Sequence, residues 1–347
     1  MRLASPGRWR RALVVLGTCL AADVLGAAEP PAPLRFELGQ TVLELGGEIR
    51  LRFEDDRAFD VRGYRPAIDD RFLLSRVMLD AEAWLGRPVR NRPERWPKAS
   101  VPVPVVAAVY ARALGLPACL DAFYVHKQDG SGQTTGEPGS GDLRSDSFGI
   151  QAEGSWKTLD YALTGVLQRG RWGQDRIRAG GASGTVGWRF ETLPWRPRLR
   201  AVATWGSGDD DPDDGVHGTF DGVLGGADIA FYGHCNLFFW ANLQDRELQL
   251  LLRPAQSLDV HVQAHSFALA ASRDAWYSTS LASVRRDPSG ASGRDLGREL
   301  DVRVVWRARR RLELMTGLAY FWPGAFIRQT GPARDARWLM LQATISR

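Results

Sequence analysis

Cysteine is scarce in this chain, with three residues among 347. Cys19 lies in the amino-terminal stretch, so that only Cys119 and Cys235 remain for the rest of the chain. Two cysteines form at most one disulfide, which excludes the disulfide-rich scaffolds that stabilise small secreted domains. We expect Cys119 and Cys235 to stay unpaired.

Long apolar runs are missing as well, which argues against membrane-spanning helices. The run at residues 12–26 is short, follows three arginines and ends at small residues, a pattern typical of a secretory signal peptide. We therefore expect residues 1–28 to be a signal peptide and residues 29–347 to form the mature domain.

The chain also has little net charge. Of the formal net charge of +5, residues 1–28 contribute +3 from four arginines and one aspartate, which leaves +2 for the rest. This near-neutral balance gives no reason to expect a nucleic-acid partner.

No catalytic constellation is recognisable. The Gly-rich tract at residues 132–141 is not followed by the Lys-Ser or Lys-Thr of a phosphate-binding loop, and no Ser/His/Asp or Cys/His arrangement stands out. The sequence therefore predicts a protein that is not an enzyme and needs no cofactor.

What the chain does have is strict alternation of apolar and charged side chains. In residues 41–56 one parity holds Leu43, Leu45, Ile49, Leu51 and Phe53, whereas the other parity holds mainly Glu and Arg. A period of two indicates a β-strand whose faces differ. The same alternation recurs at residues 71–85, 148–153, 161–168, 185–190, 198–205, 247–253, 258–265 and 299–306.

Segment length and connections favour a barrel in a membrane. Segments of about ten residues suit tilted strands that cross a bilayer. Short turns at 253–257 and 306–311 contrast with long polar connections at 129–142, 206–226 and 271–297. Aromatic residues near strand ends resemble the girdles of such barrels: Trp188, Trp205, Trp306, Tyr320 and Trp338.

We therefore predict an all-β fold, a transmembrane antiparallel β-barrel of about 14 strands whose apolar parity faces lipid. A large soluble all-β domain with one wet face is the alternative. The stretch at residues 90–118 is atypical, because it is rich in Pro and lacks the alternation on either side. It is interpreted as a deletion bridged by a loop, as a reading-frame error, or as a plug in the lumen.

Several segments resemble the alginate export family of outer-membrane proteins. They are residues 195–221, 233–245, 271–280, 297–306 and 320–331, with the elements Ser-Gly-Asp, Arg-Asp-Ala-Trp-Tyr and Phe-x-Pro-Gly. The resemblance covers most of residues 29–347. It implies a barrel in the outer membrane of a Gram-negative bacterium, shortened relative to the family, that lets an anionic polysaccharide or another anionic solute cross.

The partners expected on this interpretation are outer-membrane lipids, an alginate-like polysaccharide or small anionic solute, and periplasmic components of an export complex. Arginines on the inward parity would bind the solute, because guanidinium groups match carboxylates. These are Arg50, Arg52, Arg76, Arg189, Arg198, Arg200, Arg253 and Arg303. Alternatively they pair with neighbouring carboxylates and fill the interior, which suits a structural or non-conducting barrel, or a degenerate remnant of an exporter.

Ligand spacing alone does not predict a metal site. The loop at residues 207–215 offers calcium ligands at Asp209, Asp211, Asp213 and Asp214. It departs from the EF-hand pattern, because Asp214 stands where Gly is needed, and a solvated or gating loop is the alternative. His261 and His265 would lie about 13 Å apart on a strand, too far to share one ion, so we expect both to line the lumen.

Overall fold

The structure, a computed structural model, describes residues 34–38, 41–57, 70–84, 105–113, 119–136, 139–211, 213–222, 232–277 and 283–346. The predicted signal peptide lies outside the described residues. So do residues 90–104 and 114–118 of the atypical stretch.

The described chain consists almost entirely of strands. Their bounds are β1 Leu34–Leu38, β2 Thr41–Arg57, β3 Asp70–Trp84, β4 Val105–Ala113, β5 Cys119–Gly136, β6 Gly139–Trp156, β7 Leu159–Trp172, β8 Asp175–Arg189, β9 Arg198–Gly206, β10 Val216–His217, β11 Leu243–Ala255, β12 Leu258–Leu269, β13 Trp276–Tyr277, β14 Ser283–Arg285, β15 Asp295–Arg309, β16 Leu312–Pro323 and β17 Ala336–Ser346. One helix, α1 Ala325–Thr330, lies between β16 and β17. No helix in the described ranges is long and apolar enough to pass through a membrane.

Fifteen of the described strands belong to one sheet. Its main path runs β3-β2-β17-β16-β15-β12-β11-β9-β8-β7-β6-β5-β4, with antiparallel neighbours throughout. The short strands β1 and β10 add pairings to β2 and β8, while β13 and β14 form a separate hairpin. The prediction of an antiparallel barrel of about 14 strands is confirmed.

The alternation sets which face of the sheet is apolar. On β7, Leu163 and Leu167 are 53% and 60% exposed, whereas the intervening parity buries Gln168 at 1%. Leu51, which belongs to the first alternating segment, is 50% exposed. The apolar parity therefore faces outward toward lipid and the polar parity inward, which excludes the soluble alternative. Leu43 shares this parity, but its side chain lies outside the described residues.

Aromatic side chains follow the same division, with one exception. Trp188, Trp205 and Trp306 are exposed on the outward face near strand ends, as a girdle requires. Tyr320 lies half-buried beside Arg337. Trp338 instead points into the barrel, where it is buried, because its parity on β17 is the inward one.

Connections differ in length between the two ends of the barrel. Hairpin turns at residues 157–158, 256–257 and 310–311 close one end, as predicted for the last two. The opposite end carries the long connections between β9 and β11, β12 and β15, and β16 and β17. The connection predicted at 129–142 is instead mostly strand, since β5 and β6 continue to pair up to Gly136 and Gly139.

The atypical stretch is partly a strand. Val105–Ala113 forms β4 and pairs antiparallel with β5. This segment is free of Pro, so each of its residues can donate to the ladder. Both β3 and β4, the ends of the path, run toward the hairpin-turn end, and no pairing between them occurs in the described residues. Antiparallel closure therefore requires an odd number of strands between them.

Candidate transport pathway

Inward-facing arginines lie in the half of the lumen near the hairpin turns. Arg198 and Arg200 are at the beginning of β9, and the register places Arg189 of β8 directly opposite Arg198. On β11 and β15, Arg253 and Arg303 also lie toward the hairpin-turn ends of their strands. The role of these arginines in binding a solute remains a prediction.

Three of the eight predicted arginines have carboxylate partners. Arg198 forms a bidentate pair with Asp160, with Nε 3.0 Å from Oδ2. The Nε of Arg253 lies 2.9 Å from Asp259 Oδ1. Arg52 pairs with Glu54 on its own strand. For these three, cross-strand or local pairing offsets the positive charge.

Arg189 and Arg200 have neutral partners. Arg189 donates from Nη2 to the carbonyl of Lys157 at 3.0 Å, and Arg200 donates from Nη1 to Gln249 Oε1 at 3.3 Å. The Nε atom of each is buried without a hydrogen-bond acceptor. Both guanidinium groups therefore keep unused donors beside the lumen, and neither hydrogen-bonds a carboxylate.

The other three arginines are placed as follows. Arg303 lies opposite His261, with Nη2 3.4 Å from Nδ1. Arg50 is half-buried on the inward parity of β2 and faces Thr344 in the register. Arg76 occupies the β3 position opposite Arg50, but its side chain lies outside the described residues.

The other half of the lumen is filled by the connection between β9 and β11. The Phe238 ring lies 4.3 Å from that of Phe267 and 5.6 Å from that of Phe321, on the inward faces of β12 and β16. His234 packs edge-on against Trp338 of β17 at 5.3 Å. Residues 232–242, which we term the lumen loop, therefore fold into the barrel. A plug had been considered for residues 90–118, and the described plug comes from this different segment.

A second part of the same connection reaches the opposite wall. Gln168 of β7 donates to the carbonyl of Asp221 at 2.6 Å and accepts from its amide at 2.9 Å. The Asp221 carboxylate also pairs with Lys127 of β5 at 2.7 Å. Residues 219–222 are thereby fixed to the inward faces of β5 and β7.

A buried aspartate joins the connections to one another. Asp274, which is 0% exposed, accepts from Asp209 N at 2.9 Å and from Thr219 Oγ1, Ala275 N and Tyr277 OH at 2.6 Å each. Four donors on one carboxylate hold the connections after β9 and after β12 in a single arrangement.

The segments that carry the family resemblance coincide with these contacts. Asp209 belongs to Ser-Gly-Asp, and Asp274 and Tyr277 belong to Arg-Asp-Ala-Trp-Tyr. A Cβ at Gly208 would lie 2.0 Å from Asn242 Oδ1, and one at Gly324 would lie 2.4 Å from the carbonyl of Asp295. The elements therefore mark close packing of the connections inside the barrel, a role that their spacing alone did not reveal.

The carboxylates of the acidic loop are used as hydrogen-bond acceptors. Asp209 accepts from the amides of Asp211 and Gly218 at 3.0 and 2.8 Å, and Asp214 accepts from Val216 N at 2.7 Å. Asp213 is exposed, and its amide donates to Asp211 at 3.4 Å. The structure does not gather these four aspartates into a ligand set.

A different group of possible metal ligands is found, at Asp245, Glu247 and His265. It lies inside the barrel on β11 and β12, between the arginines at the hairpin-turn end and the lumen loop. His265 faces the lumen as predicted. Nearby, burial raises the pKa of the Tyr232 phenol well above its usual value. No disulfide joins Cys119 and Cys235 in the described part of the chain.

No curated protein matches the chain, whereas outer-membrane proteins among the solved structures do. Among solved structures, the outer membrane channel DcaP of Acinetobacter baumannii is 10% identical and aligns over 91% of this chain and all of that one, with a TM-score of 0.49. OccK11 of Pseudomonas aeruginosa is 16% identical over 90% of this chain and all of that one, with a TM-score of 0.44.

The sequence model of one family matches a large part of the chain. Its description is alginate export, and it aligns with residues 80–340. This range includes the lumen loop, the segment around Asp274 and most of the inward-facing arginines. The chain is an outer-membrane β-barrel of a Gram-negative bacterium, and it belongs to the alginate export family.

Proposed function

We propose that this barrel is a channel that exports, or lets diffuse, an anionic polysaccharide of the alginate type or another anionic solute, without chemistry of its own. The observation that carries the proposal is the pair Arg189 and Arg200. Both are inward-facing guanidinium groups whose hydrogen bonds go to neutral acceptors rather than to a carboxylate. Guanidinium groups offer forked donors that match a carboxylate.

The position of the arginines suits export. In outer-membrane barrels the short turns face the periplasm, so a polymer leaving the periplasm meets the arginine-lined end first. Positive charge at the mouth of a narrow pore concentrates anions and favours their entry. Because a polyuronate bears about one carboxylate per sugar, successive residues can exchange on the same donors. Delivery by periplasmic components of an export complex is part of this proposal.

The proposal is tested by ion selectivity in planar bilayers. The purified barrel is placed in a KCl gradient, and the reversal potential gives the anion-to-cation permeability ratio. Replacing both Arg189→Gln and Arg200→Gln should lower this ratio, because two positive charges beside the lumen are removed. Soluble oligouronate should also block the parent channel more strongly than the double variant.

The matched control is Arg246→Gln, which removes an exposed arginine from the outward parity of β11. It should leave the permeability ratio unchanged. An equal ratio for the parent and the lumen double variant would reject the arginines as the source of selectivity.

A second candidate is a structural or non-conducting barrel, including a remnant of an exporter. The lumen loop favours it, because Phe238 and its neighbours form an apolar cluster across the interior. The same bilayer recordings distinguish the two candidates. Silence from protein with native heat-modifiable migration supports the second candidate, whereas anion-selective current supports the channel.

A further inference from the structure

A cluster of acidic side chains and one histidine is buried beneath the lumen loop. The register aligns Glu247 of β11 with His265 of β12 and with Glu299 of β15, and it places Asp301 one inward position from Glu299. Asp245 is the neighbouring inward residue of β11. All five side chains are at most 5% exposed.

The cluster has more negative charge than its neighbours compensate. It contains four carboxylates and the imidazole of His265, with a second imidazole, that of His234, 3.7 Å from Asp301 Oδ2 through Nδ1. No Arg or Lys of the described chain lies within ion-pair distance of the four carboxylates. Burying unpaired carboxylates is costly, and proteins normally offset such charge with a cation or a proton.

His265 points an unused nitrogen into this cluster. Its Nδ1 lies 3.1 Å from the nearer oxygen of Asp245. Since an ionised carboxylate can only accept, Nδ1 carries a hydrogen, and Nε2 presents a lone pair when the imidazole is neutral. Nε2 is buried without a hydrogen-bond partner, 3.5 Å from Glu247 Oε1 and 3.6 Å from Asp301 Oδ2.

These separations fit a shared cation better than a shared proton. If Nε2 were protonated, both oxygens would lie beyond the usual 2.7–3.2 Å range of an N–H···O bond. Two ligands of one tetrahedral ion, each about 2.1 Å from it, are about 3.4 Å apart. Ligand atoms of Asp245, Glu247 and His265 also lie within 4.8 Å of one another.

We propose that this cluster binds one first-row divalent cation of the zinc or manganese type. His265 Nε2 and a carboxylate oxygen of Glu247 are ligands, with Asp301 Oδ2 at 3.6 Å from the same nitrogen, and Asp245 holds His265 in the required tautomer. A histidine that donates its other N–H to a carboxylate is the common second shell of metal sites. A mixed nitrogen and oxygen set disfavours calcium and magnesium, which prefer oxygen alone.

The ligating carboxylates are themselves oriented. Glu247 Oε1 accepts from Gln249 Nε2 at 2.7 Å and from Gln263 Nε2 at 2.6 Å. Asp301 Oδ2 accepts from the amide of His234 in the lumen loop at 3.1 Å. The side chain of Asp301 also hydrogen-bonds the carboxyl group of Glu299. A cation here would therefore fix the strands and the lumen loop to each other.

The test uses the full barrel refolded in detergent with either Zn²⁺ or a chelator, followed by removal of unbound metal. We expect about one zinc per folded barrel and a higher melting temperature for the zinc-loaded form. His265→Gln should abolish retention of the zinc, and Asp245→Asn should weaken it by about 10- to 100-fold. Ca²⁺ used in place of Zn²⁺ should not be retained.

The matched control is His126→Gln. His126 also pairs with an aspartate, since its Nδ1 lies 2.7 Å from Asp146 Oδ1, but its Nε2 faces the amide of Gln128 rather than carboxylates. This variant should retain one zinc. If His265→Gln does not fold, Glu247→Gln replaces it in the same comparison. Absence of zinc from the refolded parent, or full retention in the folded cluster variant, would overturn the proposal.

Discussion

The lumen loop should control conductance, and Phe238→Ala is the sharpest way to perturb it. The Phe238 ring is buried against Phe267, Trp276 and Phe321, with centroid distances of 4.3, 5.5 and 5.6 Å. Truncating a buried Phe to Ala costs about 3–5 kcal/mol. At about 1.4 kcal/mol per factor of ten, the ratio of docked to undocked loop should fall by about 10²- to 10³-fold.

Single-channel recording in planar bilayers measures the consequence. Phe238→Ala should raise mean conductance and the frequency of open events, because the apolar cluster no longer holds the loop across the lumen. Chymotrypsin, which cleaves after aromatic residues, should also cut the barrel faster within the connection between β9 and β11, where Phe239 and Trp240 follow the substituted position. The matched control is Phe148→Ala, which removes a ring that is 54% exposed on the outward face and should change neither reading.

An unchanged conductance and an unchanged cleavage pattern in natively folded Phe238→Ala would refute the reasoning. They would mean that contacts such as Asp221 with Lys127 and Gln168, on the opposite wall, are sufficient to hold the connection in place.

Two further outcomes follow from the buried aspartate and from the orientation of the strands. Asp274→Ala removes the acceptor of four donors, which belong to Asp209, Thr219, Ala275 and Tyr277. It should destabilise the connections by about 3 kcal/mol or more, which faster proteolysis would reveal. If the variant resisted proteolysis as well as the parent, Asp274 would not be what holds the connections together. Leu167→Arg places a charge on the lipid face and should reduce folding stability in vesicles by about 2–4 kcal/mol, whereas Thr164→Arg on the inward parity of the same strand should cost much less. Equal losses would contradict the assigned faces.

Local pattern predicted the wall of the barrel well. A period of two needs only neighbouring residues to specify which side chains share a face, so Leu163, Leu167 and the inward arginines were placed correctly. The same reasoning missed Trp338, whose bulk suggested the girdle although its parity on β17 is inward. Parity is thus more informative than residue type in a barrel.

Charge compensation could not be predicted from the sequence. Arg198 forms a hydrogen-bonded ion pair with Asp160, a residue 38 positions away, whereas Arg200, two positions further along the same strand, hydrogen-bonds Gln249. The difference depends on the register between strands, which the pattern of one strand does not contain. The lumen loop was missed for a similar reason, because its partners on β12, β16 and β17 come from distant parts of the chain.

The buried cluster also depends on the register between strands, which the pattern of one strand does not contain. His261 and His265 were correctly judged too far apart along one strand to share an ion. The carboxylates that approach His265 Nε2 come instead from β11 and β15, where Glu247 lies opposite His265 and Asp301 lies 3.6 Å from it. A search for acidic and histidine residues on the inward parity of neighbouring strands would have found this group.

The two charged layers of the lumen have opposite effects on an anionic solute. On β15, Glu299 and Asp301 are followed on the same parity by Arg303 and Arg307, so about 13 Å separates Glu299 from Arg303 along the strand. Water-filled pores of low-dielectric wall screen charge weakly over such a distance. Four ionised carboxylates would therefore oppose the field of the arginines, and a bound dication would offset about half of that charge. The anion selectivity of the pore then depends on whether a cation occupies the acidic layer, as well as on the arginines themselves.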